Sequence, residues 1–171
     1  EDFEMPSNSL ERNFYTTSSC GVCGKASIEA IHTKSCFNIK PSHVPVSEIL
    51  FGLKDKLTNV QSLFTATGGI HAAALFNLEG QLLAMREDVG RHNALDKLIG
   101  HGLKSDKLPY SNTLLLLSGR ASFELVQKAT MAAMPIVVSV GAPSSLAVEL
   151  ARDRGIKLIG FLKSSSYNIY S

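Results

Sequence analysis

The stretch Leu114-Leu115-Leu116-Leu117-Ser118-Gly119-Arg120-Ala121-Ser122 decides the fold of this chain. Four consecutive leucines are typical of a strand buried on both faces, as in a parallel sheet flanked by helices. Further along, helix faces at Phe123, Val126, Ala129, Ala133 and at Leu146, Ala147, Leu150, Ala151 alternate with strands at 136–140 and 157–162. This order predicts an α/β sandwich with a mixed, mainly parallel sheet.

Before the leucine run, the sequence predicts a hairpin and two more helices. Stretches 72–77 and 82–86 flank Leu78-Glu79-Gly80-Gln81, which indicates a β-hairpin at one side of the sheet. A helix near 91–101 presents Ala94, Leu95, Leu98 and Ile99. An earlier helix, with Ser47 as its candidate N-cap, presents one apolar face: Val46, Ile49, Leu50, Leu53, Leu57, Val60 and Phe64.

Residues 1–45 differ from the rest because polar clusters, prolines and glycines interrupt any periodicity. We predict an extended arm at 1–45, carrying Cys20 and Cys23 on a loop, and an α/β domain at 46–171. Since the chain starts at Glu1 without an initiator methionine, we expect it to be a fragment of a longer protein.

The composition excludes several classes of protein. With 44% hydrophobic and 19% charged residues, the chain is too apolar for a disordered or fibrous protein. The 17 basic and 15 acidic residues leave a net charge of +2, and without a basic cluster we expect no nucleic-acid partner. No apolar run approaches a membrane span, so we expect no membrane association. Three cysteines beside a large core favour a reducing, cytoplasmic setting.

Three loops are predicted to meet at one edge of the sheet. Ligands of open α/β sheets bind beyond the carboxyl ends of the strands, and those ends carry 118–122, 141–145 and 163–166. The first two loops lead into helix N-termini, which attract anions; the alternative is ordinary turns with serine N-caps. Because Arg120 and Lys163 lie on these loops, the pattern favours a phosphorylated ligand.

The pair of thiols in Cys20-Gly21-Val22-Cys23 is the sharpest local motif. Thiols at this spacing can bind a metal, cycle as a disulfide or relay a sulfur atom. Structural zinc would need Cys36 with His32 or His43, and these spacings match no ribbon or finger. A thioredoxin-type role needs a helix start, whereas the flanking glycines indicate a loop that presents sulfur. We interpret Cys36 as a packed thiol without a role.

Two further motifs leave alternatives open. The charged run Arg86-Glu87-Asp88-Val89-Gly90-Arg91-His92-Asn93-Ala94-Leu95-Asp96-Lys97 is either a solvated helix start or a site. The helix would be stabilised by the i,i+4 pairs Glu87–Arg91, Asp88–His92 and His92–Asp96, whereas the site would hold His92 between carboxylates. In Thr67-Gly68-Gly69-Ile70-His71, the histidine is either a satisfied core residue or part of a place where a ligand approaches the glycine backbone.

In their order, these motifs resemble the FdhD family, the formate dehydrogenase accessory sulfurtransferases. The resemblance runs from about residue 15 to the C-terminus, and its most specific part is Glu87-Asp88-Val89-Gly90-Arg91-His92 with Ala94-Leu95-Asp96-Lys97. The other motifs that carry it are Ser19-Cys20-Gly21-Val22-Cys23-Gly24, Gly69-Ile70-His71-Ala72-Ala73, Ser118-Gly119-Arg120-Ala121-Ser122 and Glu124-Leu125-Val126-Gln127-Lys128.

The resemblance implies a cytidine-deaminase-like three-layer sandwich that has lost its zinc site. A zinc deaminase needs a glutamate two residues after its histidine, and a pair of cysteines on the next helix start. The matching places read His71-Ala72-Ala73 and Ser118-Gly119-Arg120-Ala121. The general-acid glutamate and both thiolate ligands are therefore absent from the sequence.

The resemblance also implies a cytoplasmic sulfur carrier. It would accept sulfur from a cysteine desulfurase as a persulfide on Cys20, with Cys23 as partner. It would pass the sulfur to the molybdenum bis(molybdopterin guanine dinucleotide) cofactor before that cofactor enters formate dehydrogenase. The cofactor is a bound client, and no metal ion of the carrier's own is expected.

The cofactor-binding segment of the family matches Phe161-Leu162-Lys163-Ser164-Ser165-Ser166, although many relatives have a second basic residue at the position of Ser166. Further cofactor contacts are expected at Gly69, His71, Arg91, His92, Ser118, Arg120 and Ser144. Family members have an additional N-terminal portion, so the resemblance implies that this chain is a C-terminal fragment. Both a monomer and a homodimer are compatible with the sequence.

Two rival functions come from other classes of protein. A zinc-stabilised nucleotide-binding module without catalysis would contain stoichiometric zinc. A dithiol oxidoreductase would need a thiol of low pKa and a stable disulfide between Cys20 and Cys23.

Overall fold

A computed structural model of the chain describes residues 37–40 and 42–171. The three cysteines lie outside the described residues, and so does most of the arm predicted at 1–45. The division into an arm and a domain at residue 45 stays a prediction.

Six strands of the described region form one mixed sheet. They are β1 (His71–Asn77), β2 (Leu82–Asp88), β3 (Thr113–Leu117), β4 (Ile136–Ser139), β5 (Lys157–Gly160) and β6 (Asn168–Ile169). Their order is β2-β1-β3-β4-β5-β6. The pairs β3–β4 and β4–β5 are parallel and the other three are antiparallel, so that β2, β3, β4 and β5 run in the same direction. The predicted α/β fold with its hairpin is confirmed.

Five helices of the described region surround this sheet. They are α1 (Ser47–Thr58), α2 (Ser62–Thr67), α3 (Arg91–Lys104), α4 (Phe123–Met131) and α5 (Ser145–Arg154). None of them is long and apolar enough to cross a membrane.

The sheet is buried on both faces. On one face, three leucines of α1 pack against the strands, in a cluster formed by Leu50, Leu53, Leu57, Ala72, Ala74, Phe76, Leu114, Leu116, Ile136, Val138, Ile159 and Leu162. Strand residues between these, such as Ala73 and Leu115, point to the opposite face, which α3, α4 and α5 cover. The result is the predicted three-layer arrangement, with the leucine run of β3 at its centre.

The first helix differs from its prediction at both ends. Val46 is the N-cap of α1, whereas the Ser47 hydroxyl lies 2.9 Å from the Tyr167 hydroxyl, so the assignment of Ser47 as N-cap is wrong. The helix ends at Thr58, and Phe64 belongs to α2. Val60 and Phe64 are each 40% exposed, because the chain turns between the two helices and the single apolar face stops at Leu57.

The end of the chain also differs from its prediction. Strand β5 stops at Gly160 rather than at residue 162, since Phe161 has a left-handed φ of 54° that cannot continue a strand. The sequence analysis did not find β6, whose two residues are exposed and give no alternating pattern.

Candidate functional site

The loops that follow β3, β4 and β5 lie side by side, as the sequence predicts. The amide of Gly141 donates to the carbonyl of Gly119 at 3.0 Å, and the amide of Ala121 donates to the carbonyl of Ala142 at 3.2 Å. The amide of Phe161 donates to the carbonyl of Gly141 at 3.1 Å. Backbone hydrogen bonds therefore join all three loops into one surface at the carboxyl edge of the sheet.

Two glycines permit this close approach. A β-carbon on Gly141 would lie 2.9 Å from Cγ and 3.1 Å from Cα of Arg120. A β-carbon on Gly160 would lie 2.7 Å from Cδ of Pro143. Real β-carbons do not approach other atoms so closely, so any larger residue would push the loops apart.

The loops carry two exposed cations, whereas the hydroxyl of Ser144 is already engaged in a hydrogen bond. Arg120 and Lys163 are exposed and make no side-chain hydrogen bond or ion pair in the described part of the chain. The hydroxyl of Ser144 accepts from the amide of Ala147 at 3.2 Å, which makes it the N-cap of α5. This is the structural role that the sequence left open for Ser144.

The segment 161–166 is divided between surface and core. Phe161 is 42% exposed, and Lys163 and Ser164 to Ser166 are exposed as well. Leu162 is 1% exposed and belongs to the core cluster of the sheet, so its side chain packs into the core and fixes the loop to the sheet. The amide of Lys163 donates to the carbonyl of Ser166 at 2.9 Å, which closes a tight turn.

Gly69, His71 and Ser118 line one cavity of about 400 Å³ at this edge of the sheet. Nδ1 of His71 lies 3.4 Å from Oγ of Ser118, which also accepts from the amide of Ala72 at 2.8 Å. A β-carbon on Gly119 would lie 3.2 Å from the His71 ring, so this position also depends on glycine. The structure thus brings together three of the predicted contact residues.

Arg91 is the first residue of α3, and its side chain approaches the same loop. A β-carbon on Gly119 would lie 4.0 Å from Cδ of Arg91. The Nε atom of Arg91 is buried and forms no hydrogen bond among the described residues. A buried donor without a partner costs free energy, so this position of the Arg91 side chain is not explained by stability alone.

His92 pairs with a carboxylate that the sequence did not indicate. Its Nε2 lies 2.8 Å from Oε2 of Glu124 and 3.1 Å from Oγ of Ser122, so neither Asp88 nor Asp96 holds it. Burial lowers the pKa of His92 below its usual value, although the charge of Glu124 opposes this shift. His92 therefore connects α3 with Ser122 and Glu124 at the start of α4.

Glu87 and Asp88, in the same charged run, make structural hydrogen bonds that differ from those predicted for a helix start. The two carboxylate oxygens of Glu87 accept from the amides of Leu63 at 3.2 Å and Phe64 at 3.0 Å, which fixes the start of α2. Asp88 accepts from the amide of Gly90 at 2.9 Å. Glu87 and Asp88 belong to β2, and helix α3 starts only at Arg91. The predicted helical pairs Glu87–Arg91 and Asp88–His92 are therefore wrong.

In the Asp88→Asn variant, the free energy of unfolding is expected to fall less at low pH than it does in the unaltered chain. The pKa of Asp88 falls from 3.8 to about 2, because Lys97 first, and then the amide of Gly90, stabilise the charged form. A carboxyl group with a depressed pKa contributes stability above its unfolded pKa and loses it as the pH falls through the folded pKa. The free energy of unfolding should thus drop between about pH 4 and pH 2 in the unaltered chain and less in the variant. Denaturant titrations across this range measure the difference, and identical pH profiles would contradict the assigned bonds.

Gln61 is a cavity residue that the sequence analysis missed. It lies between α1 and α2, outside both apolar patterns, and only 6% of it is exposed. Its side chain lines the same 400 Å³ cavity as His71 and Ser118. A glutamine in a short connection between helices gives no signal of burial, so only the fold could find it.

Comparisons with known proteins agree on one family. A model of the FdhD/NarQ family matches residues 2–171. The chain is 55% identical over 170 residues to the sulfur carrier protein FdhD of Streptomyces avermitilis, covering 98% of this chain and 60% of that protein. It is 54% identical over 169 residues to the protein of the same name from Streptomyces coelicolor, again with 98% and 60% covered. The chain therefore spans about 60% of the length of these curated relatives.

A solved structure supports the fold. The chain is similar to a crystal structure of a proposed formate dehydrogenase accessory protein from Desulfotalea psychrophila, with a TM-score of 0.70 and 27% identity. The match covers 78% of this chain and 59% of the other.

Proposed function

The chain belongs to the FdhD/NarQ family, and from that premise we propose that it is a cytoplasmic sulfur carrier which formate dehydrogenase needs for its activity. The names of its relatives support this proposal, since they are called sulfur carrier proteins. The chain would act as a sulfurtransferase that holds sulfur as a cysteine persulfide.

The sulfur chemistry is assigned to Cys20 and Cys23. The Cys20 thiolate attacks the outer sulfur of a persulfide on a cysteine desulfurase, which leaves the desulfurase thiolate and a persulfide on Cys20. The Cys23 thiolate then attacks the inner sulfur, forming a Cys20–Cys23 disulfide and releasing hydrosulfide to the acceptor. Two equivalents of a cellular thiol then reduce this disulfide: the first forms a mixed disulfide with one cysteine, and the second attacks it, which leaves the oxidised thiol pair and restores both cysteines.

The acceptor is proposed to be the molybdenum bis(molybdopterin guanine dinucleotide) cofactor, bound as a client before it enters formate dehydrogenase. The observation that carries this assignment is the single surface formed by the three loops, with Arg120 and Lys163 exposed on it. Cations without partners beside backbone amides favour diphosphate, because charged hydrogen bonds to phosphate are the stronger ones.

Lys163→Ala is expected to weaken the binding of GDP, used as a probe of the nucleotide tail, by about tenfold or more. Hydrogen bonds to charged groups contribute on the order of 1.5–3 kcal/mol each, which corresponds to this change in affinity. Isothermal titration calorimetry measures it, and Arg120→Ala should have a similar effect. Lys104→Ala is the matched control. This exposed lysine is the last residue of α3, whereas the first residue of that helix, Arg91, lies at the loops. Unchanged affinity for GDP in both the Lys163 and the Arg120 variants would contradict the assignment of the nucleotide phosphates to these loops.

A further inference from the structure

Asp88 fixes the start of α3 to the end of β2. Its Oδ1 atom accepts from the amide of Gly90 at 2.9 Å and from Nδ2 of Asn93 at 3.2 Å. Its Oδ2 atom forms an ion pair with Nζ of Lys97. Because one carboxylate binds the N-cap residue and two residues of the helix itself, the first turn of α3 is held in place.

His92 lies in this first turn, and its ring reaches the segment that enters α4. Its Nε2 atom lies 2.8 Å from Oε2 of Glu124 and 3.1 Å from Oγ of Ser122. The side chains of His92 and Glu124 are only 28% and 31% exposed, so salt and solvent screen this pair less than they would a fully exposed one. These contacts therefore join a fixed helix start to the end of the loop 118–122.

Arg91, the preceding residue, approaches the other end of the same loop. A β-carbon on Gly119 would lie 4.0 Å from Cδ of Arg91. Between Gly119 and Ser122 stands Arg120, whose side chain is exposed. The first two residues of α3 thus lie against both ends of the loop that carries this cation.

Ser122 uses its hydroxyl for His92 and not for its own helix. It is the N-cap residue of α4, but its side chain accepts from no amide among the described residues of that helix. Ser144, the N-cap of α5, does accept, from the amide of Ala147 at 3.2 Å. A serine hydroxyl that binds an amide at this position stabilises its helix. The contact with His92 therefore fixes the loop where a cap would have stabilised α4.

From these contacts we infer that His92 is a positioning residue for phosphate binding. It fixes the loop 118–122, so that the guanidinium of Arg120 meets the diphosphate of a ligand without the cost of ordering the loop first. Binding is tighter when the free protein already holds the bound conformation. This inference rests on the proposed function and deepens it, because it gives His92 a role that is exerted through Arg120.

Calorimetric titration of the 171-residue chain with GDP tests this role. We expect His92→Leu to weaken GDP binding about fivefold, which corresponds to the loss of one hydrogen bond. His92→Gln should retain the affinity of the unaltered chain, because its amide nitrogen can donate to the same two oxygens. The matched control is His101→Leu, which removes a histidine from the last turn of α3 and should leave the GDP affinity unchanged.

A double-mutant cycle separates positioning from a general loss of stability. In a chain that already carries Arg120→Ala, His92→Leu should weaken GDP binding no further, since the cation that it positions is missing. In a chain that carries Lys163→Ala, His92→Leu should still weaken GDP binding about fivefold. A merely structural histidine would have the same effect on GDP affinity in both chains.

Hydrogen exchange without ligand measures the loop itself. The amide of Ala121 donates to the carbonyl of Ala142 at 3.2 Å. We expect this amide to exchange faster in His92→Leu and to stay protected in His92→Gln. Ser122→Ala is a second variant that removes the same contact, and it should likewise speed exchange and weaken GDP binding. Because Ser122 caps no amide, its replacement should lower the melting temperature less than Ser144→Ala does.

Three results would each overturn the inference. The first is unchanged GDP affinity in both His92→Leu and Ser122→Ala, and the second is unchanged exchange of the Ala121 amide in both. The third is equal weakening by His92→Leu in the Arg120→Ala and Lys163→Ala chains. GDP binding that depends on Lys163 would then still uphold the proposed function. Absence of GDP binding by the unaltered chain would instead contradict the phosphate assignment, while faster exchange in the two variants would still show that His92 fixes the loop.

Discussion

Cys20→Ala is expected to abolish the activation of formate dehydrogenase by this protein. Without the Cys20 thiolate, no sulfur can be taken from the donor persulfide, and the remaining steps have nothing to transfer. Lys25 stands close to Cys20 in the sequence, and a neighbouring positive charge favours the thiolate. The measurement is formate oxidation in cells that lack their own FdhD protein and express either the unaltered or the substituted sequence.

The other two cysteines serve as matched controls. Cys36→Ala should leave activation unchanged, because this thiol is assigned no step. Cys23→Ala should reduce activation, but less uniformly than Cys20→Ala does. Sulfur can still be loaded on Cys20, whereas the thiolate that attacks the persulfide to release this sulfur is missing. Full activation by the Cys20 variant would show that the carrier mechanism is wrong, whatever the family resemblance.

Gly141→Ala is expected to weaken GDP binding by about a hundredfold, because it disturbs both cationic loops at once. The new β-carbon would lie 3.1 Å from Cα and from the amide nitrogen of Arg120, so backbone and not a flexible side chain must move. The carbonyl of Gly141 also holds the amide of Phe161, which precedes Lys163 by two residues. Overpacking of this kind costs about 1–3 kcal/mol of stability.

Gly100→Ala provides the comparison. Gly100 lies inside α3, and a β-carbon there would meet nothing within 4 Å. Alanine should therefore stabilise the helix by up to ~1 kcal/mol and leave GDP affinity unchanged. Thermal unfolding and calorimetry measure both quantities. Equal stability and equal GDP affinity in the two glycine variants would mean that the close approach of the loops has no consequence.

The parts of the fold that the sequence could predict are those with a strong apolar period. The leucine run became the central strand β3, and the hairpin at 72–77 and 82–86 became β1 and β2 with turn residues between them. Parallel strands place their carboxyl ends at one edge, so the convergence of the loops with Arg120 and Lys163 also followed from the order of elements.

The parts that it could not predict depend on contacts between distant elements. Glu124 reaches His92 only because α3 and α4 pack side by side, and the i,i+4 rule pointed to nearer carboxylates instead. Glu87 binds α2 from a strand, although the charged run resembles a helix start. No sequence pattern predicts the burial of Gln61, because this burial arises from the turn between two helices.

The central claim, that this chain carries sulfur on Cys20, is tested most directly by the mass of the intact chain after incubation with a cysteine desulfurase and free cysteine. The account predicts a gain of one sulfur atom, which is removed by a reducing thiol and located on Cys20 by peptide mapping. A chain that gains no sulfur, or gains it only on Cys36, would contradict the account.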